Sequence, residues 1–142
     1  MGTDLDLIKL YSARILALAA DIPLTDRLKN PNKSVNKRSP LCGSTVTVDV
    51  NSDNGVVTGY GQDVKACALG QASASILAAN VVGRSISEIQ TVRDQVLAML
   101  KNDGPVPDAP FDGYEVLLPA REYKNRHSSI MLALEATLEA LQ

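Results

Sequence analysis

A chain of 142 residues, 45% hydrophobic and 21% charged, has the balance of a globular protein and is long enough to bury one substantial core. Its net charge of −2 excludes a global basic field for nucleic acid or anionic membrane, and 4% aromatics with no Trp argue against base-stacking platforms. No apolar run approaches the roughly 20 residues of a membrane span. The acidic start at Met1–Asp6 lacks the basic opening of a signal peptide, and two cysteines do not make a secreted disulfide scaffold. One domain over residues 1–142, in a reducing cytoplasm and without nucleic-acid or membrane partners, is therefore expected.

Residues 4–19 read as a helix. Thr3 and Asp6 have capping-box spacing, and Leu5, Ile8, Tyr11, Ile15 and Leu18 share one face. Residues 21–41 read as a loop, broken by Pro23, Pro31 and Pro40 and locally basic. Residues 45–50 alternate strictly, with Val46, Val48 and Val50 on one side and Thr45, Thr47 and Asp49 on the other. The run Asn51-Ser52-Asp53-Asn54-Gly55 is turn chemistry, so 45–64 is predicted to be a hairpin. Gly59 and Gly61 within it point to a bulge or a close backbone approach.

A helix of small residues is predicted over 67–82, with Gly83 as its stop. Ser85 and Glu88 form a capping box for a helix over 86–101, whose core stripe is Ile89, Val92, Val96 and Leu100. Residues 104–110 read as a linker-like loop. Residues 124–142 read as a helix with Ile130, Leu134, Leu138 and Leu141 on one face. The fold class is α+β: a small antiparallel β-sheet made of the 45–64 hairpin with room for a third strand, packed with four to five α-helices.

Cys42 and Cys67 are the only thiols. Cys67 falls at the N-terminus of the small-residue helix, where free amides and the helix dipole favour a thiolate, the form that ligates metals and attacks sulfur. A small cysteine packing like an alanine is the alternative. Cys42 precedes Gly43, just before the predicted first strand; it is a ligand candidate or an ordinary loop cysteine. An antiparallel hairpin brings its ends to one side, so the two thiols are expected to be neighbours. With Cα atoms within about 7 Å a disulfide between them is geometrically possible and would compete with metal binding. His127, the only histidine, lies at the start of the last helix and is either a third ligand or a surface or capping residue; Ser128 or Ser129 would cap that helix. No catalytic pairing is evident, and stand-alone catalysis is not expected.

These residues resemble the NifU N-terminal/IscU/SufU family, scaffolds for iron–sulfur cluster assembly, over residues 5–140. Cys42-Gly43 resembles the family's first Cys-Gly-Asp motif. Ala66-Cys67 followed by Ala72-Ser73-Ala74-Ser75 resembles the second cysteine and its Ala/Ser-rich helix. The segment Tyr123–Ser129 resembles the region of the third cysteine, and Leu118-Pro119-Ala120-Arg121 weakly resembles the chaperone-recognition segment of the IscU branch. Two positions depart from the pattern. Ser44 replaces the Asp, and Ser128 or Ser129 replaces the third cysteine.

The resemblance implies that Cys42, Cys67 and His127 bind iron, a [2Fe–2S] cluster or zinc. It also implies that Cys67 accepts sulfur from a cysteine desulfurase. A chaperone or acceptor apo-proteins would be further partners, and a homodimer bridging one cluster would make up for the missing thiolate. Two other readings stand beside this one. The chain would be a sulfur acceptor or regulatory partner of the desulfurase that holds no cluster, or an adaptor that kept only the fold.

Overall fold

The computed structural model describes residues 11–40 and 43–142. The predicted helical residues 4–10 and the thiol of Cys42 lie outside the described residues. Helix α1 covers Ala13–Ala20; Ser12 caps it by accepting from the Ile15 N–H at 3.3 Å, and Ile15 is fully buried.

Three strands follow: β1 at Lys33–Arg38, β2 at Thr45–Asp53 and β3 at Val56–Lys65. They form one antiparallel sheet in the order β1-β2-β3, with Val35 opposite Val48 and Val50 opposite Tyr60. The loop expected over 21–41 is thus corrected. Its last part is a strand, so Cys42 belongs to the connection between the first two strands rather than preceding the first. In β1 only Val35 is buried, and the strand exists because β2 offers it an open hydrogen-bonding edge. The predicted turn also narrows. Strand β2 runs to Asp53, and Asn54 (φ 53°) and Gly55 (φ 77°) alone make the reversal. Positive φ at both central residues is the geometry that matches strand twist in a two-residue hairpin.

The alternation in β2 holds. Val46, Val48 and Val50 are buried and face the helices. Asp49 points to the other face but is fully buried there, because the segment around Arg27 and Leu28 folds over it. Its carboxylate accepts from Arg27 Nε and Nη2, from the Leu28 N–H (3.1 Å) and from Ser34 Oγ (2.7 Å). Gly61, opposite Asp49, is the close approach expected of it: a β-carbon there would stand 2.5 Å from the Asp26 carbonyl oxygen. The ladder is irregular at Asn51/Ser52, opposite Val57–Gly59.

Helix α2 (Ala68–Ala78) is buried on almost every side, as its small residues permit. It ends before the predicted stop; Gly83 lies in the following turn with φ 92°, its N–H bonded to the Val57 carbonyl. Helix α3 (Ile86–Lys101) carries the predicted capping box and core stripe. Residues 112–122, for which the sequence showed no element, form a 3-10 helix that buries Tyr114, Val116, Leu117 and Ala120. A short 3-10 turn at Lys124–Arg126 leads into α4 (His127–Leu141). Helix α4 is the core of the molecule. It packs on β1 and β2 with one side and on α2 and α3 with the others. The class is α+β, as the pattern predicted.

Candidate functional site

Three element ends converge where α2 and α4 begin. Cys67 is the N-cap residue of α2, with φ −66° and ψ 168°. Its side chain makes no capping hydrogen bond, so the sulfur is not engaged by the helix's own amides. The thiol is half-buried, and its Sγ lies 3.4 Å from Ser129 Oγ. Ser129, in the first turn of α4, is buried; its hydroxyl is 3.0 Å from Ser44 Oγ, at the start of β2. Ser129 therefore sits between Cys67 and the segment that follows Cys42.

The connection holding Cys42 is closed by backbone bonds on both sides. The Ser39 N–H donates to the Ser44 carbonyl at 2.8 Å, and the Gly43 N–H to the Ser39 carbonyl at 3.0 Å. Gly43 has φ 69°, a left-handed conformation that favours glycine. At the far end of the hairpin Thr45 pairs with Lys65, which places the two chain segments leading to Cys42 and Cys67 side by side.

Gly70 allows this convergence. One turn into α2 from Cys67, it faces α4 so closely that a β-carbon would stand 2.6 Å from Ser129 Oγ and 2.9 Å from the Ala66 β-carbon. The sequence held a signal for this residue. A glycine inside a helix costs about 1 kcal/mol relative to alanine, so its presence calls for a packing reason.

The two candidate serines separate. Ser129 Oγ meets Cys67 and Ser44, whereas Ser128 Oγ lies 2.7 Å from Ser39 Oγ on the β1 side. The Ser39–Ser128 link had no signal in the sequence, since 89 residues separate the partners. His127 is buried, and its Nε2 is 2.8 Å from the Ala120 carbonyl oxygen. A carbonyl only accepts, so Nε2 carries the proton and, in the neutral ring, Nδ1 keeps the lone pair. Among the described residues no three His, Cys, Asp or Glu side chains are grouped as a metal site would require. Among the described residues the donors at hand are the Cys67 thiol with two hydroxyls beside it, and hydroxyls are poor ligands for soft metals. No helix among the described residues is long and apolar enough to cross a membrane.

The fold and this junction define an α+β protein with a cysteine at a helix N-terminus facing the first turn of a second helix. No family model matches the chain, and no curated protein matches it at a significant score. Solved structures do. A nitrogen-fixing NifU-like protein (N-terminal) from Brucella abortus is 40% identical over 96% of this chain and 94% of its own, with a TM-score of 0.93. A protein of Fervidobacterium islandicum described as an iron–sulfur cluster assembly scaffold for the SUF system shares the fold. It has a TM-score of 0.84 and 18% identity over 95% of this chain and 98% of its own. The chain belongs to the NifU N-terminal/IscU/SufU-like family.

Proposed function

We propose that this chain serves iron–sulfur cluster assembly as a cytoplasmic carrier, not as a stand-alone catalyst. Iron or a [2Fe–2S] cluster is its cargo, with zinc an alternative occupant. Cys42 and Cys67 are the thiolate ligands in this reading. The observation that carries it is the contact of Cys67 Sγ with Ser129 Oγ at 3.4 Å, with Ser44 on the other side of the same hydroxyl. That contact supports Ser129, rather than Ser128, as the residue in the place of the family's third cysteine. Cys42 is two residues from Ser44, so covalent geometry keeps its Cα within about 7.6 Å of the Ser44 Cα.

His127 supplies a third donor only through Nδ1, because Nε2 donates to Ala120. Metal-bound histidines commonly hold their other N–H on a carbonyl in this way. A second copy of the chain, bridging one cluster, would supply further thiolates.

The hydroxyls of Ser44 and Ser129 favour a second reading within the same pathway, in which the chain accepts sulfur without holding a cluster. The Cys67 thiolate attacks the outer sulfur of a cysteine desulfurase persulfide. A sulfur–sulfur bond forms on Cys67, the one on the desulfurase breaks, and the desulfurase cysteine leaves as a thiolate. Chaperones and acceptor apo-proteins would act downstream.

The deciding experiment has two arms. Anaerobic reconstitution with iron and sulfide, followed by visible absorption and iron analysis, is expected to give a chromophore lost in Cys67→Ala. No chromophore and no metal in protein purified without oxygen removes the cluster-holding reading. Mass spectrometry after incubation with a desulfurase and cysteine is expected to show a persulfide on Cys67. A Cys67→Ala variant that still accepts sulfur removes the acceptor reading.

A further inference from the structure

Next to the Ser39–Ser128 link lies a cleft of about 350 Å³ between the end of β1, the C-terminal turn of α3 and the start of α4. Its floor is apolar, with Met131 and Leu132 buried and Leu97 half-buried. Its rim is cationic: Lys37, Arg38, Lys101 and Lys124. A second cleft of about 460 Å³ shares Lys101, Lys124 and His127 with it and carries Arg121, Asp103 and Glu122 besides, Asp103 being paired with Arg121 at 3.7 Å.

The charges around it are unbalanced. Lys37 is paired with Glu139 at 3.5 Å, and Glu135, the one carboxylate in the lining, is held by Arg93 at 3.0 Å. Arg38, Lys101 and Lys124 are exposed, and none has an ion-pair partner among the described residues. Three uncompensated cations around one cleft, on a chain whose net charge is −2, form a local field of opposite sign to the whole.

We propose that this cleft docks an acidic segment of a protein partner, with carboxylates on Arg38, Lys101 and Lys124 and an apolar side chain on the Met131–Leu132 floor. An anion alone would leave the apolar floor unused, whereas a peptide with both characters matches floor and rim together. Ser39 and Pro40, at the edge of the cleft, open the connection that carries Cys42. A partner held here would lie beside the Ser39–Ser128 link, at the start of the helix that carries Ser129. No thiol among the described residues lines the cleft, so the proposal stands or falls independently of whether the thiols hold a cluster.

The test uses a fluorescent synthetic peptide of glutamates around one leucine, its glutamine counterpart, and the full chain. Fluorescence anisotropy is expected to show binding of the glutamate peptide alone, weakening steeply as salt rises toward about 0.15 M. The double variant Lys101→Glu/Lys124→Glu is expected to lose on the order of tenfold in affinity, while Lys29→Glu, a charge change elsewhere on the surface, leaves it unchanged. Equal binding to the double variant, or equal binding of the glutamine peptide, overturns the proposal. Displacement of the peptide by inorganic phosphate at equal concentration overturns it as well, because the cleft is then a small-anion site.

Discussion

Ser129 Oγ lies 3.4 Å from the Cys67 sulfur and 3.0 Å from Ser44 Oγ, so a single hydroxyl joins the start of α4 to the start of α2 and the start of β2. Residues 62 positions apart and further are brought into one contact by the packing of two helices on a hairpin. The chemistry of the junction therefore depends on what stands at position 129, and substitutions there are the most direct probes.

Ser129→Cys places a thiol beside Cys67 and is expected to raise the iron retained after anaerobic reconstitution severalfold, with stronger visible absorption. Ser128→Cys is expected to give no such gain, because its side chain faces Ser39. The reverse ranking of the two variants would refute the proposal that Ser129 stands in the place of the third ligand.

Gly70→Ala is expected to destabilise the fold by about 1–3 kcal/mol despite alanine's better helix propensity, because the added methyl meets Ser129 Oγ at 2.6 Å and Ala66 Cβ at 2.9 Å. Urea denaturation measures it. Adding Ser129→Ala removes one of the two clashes, so the double variant should recover part of the loss. Strict additivity of the two changes would contradict the contact.

The hydrogen bonds from Arg27, then those from Ser34 and Leu28, hold the Asp49 carboxyl below the usual carboxylate range against the opposing effect of burial. A depressed carboxyl stabilises the fold above its unfolded value of about 3.9. That contribution is lost as pH falls through the lower folded value. Stability measured from neutral pH downward is therefore expected to drop in the acid range more steeply for the native chain than for Asp49→Asn. At neutral pH Asp49→Asn should cost about 2–4 kcal/mol, since the amide faces donors it cannot fully satisfy. Parallel pH profiles for the two proteins would argue against the network.

His127→Gln separates packing from ligation. The glutamine amide can still donate to the Ala120 carbonyl, so stability is expected to stay within about 1 kcal/mol of the native chain. It lacks Nδ1, so retained iron is expected to fall if the ring is a ligand. Unchanged iron content with unchanged stability would assign His127 a packing role alone.

Much of the frame was legible along the chain. The valines of β2, the Ser85–Glu88 capping box and the stripe of α3 appear where their patterns place them, and the small-residue helix starts after Cys67 as expected but stops at Ala78. Each is a local pattern, in which neighbouring residues carry the signal. The approach of the two hairpin ends, with Thr45 paired to Lys65, was also legible, because hairpin geometry dictates it.

Other features were decided only by tertiary structure. Strand β1 is polar apart from Val35 and exists because β2 offers it an edge. Asp49 alternates with core valines as a surface residue would, yet a distant loop buries it and supplies its donors. The choice between Ser128 and Ser129 as the neighbour of Cys67 could not be read from two adjacent serines, since one residue along a helix turns a side chain by about 100°. Sequence by itself determined the family of elements and the residue types at the junction. Tertiary packing decided which hydroxyl meets the thiol, because that depends on how closely α2 and α4 approach at Gly70, a distance set by two helices together and written in neither alone.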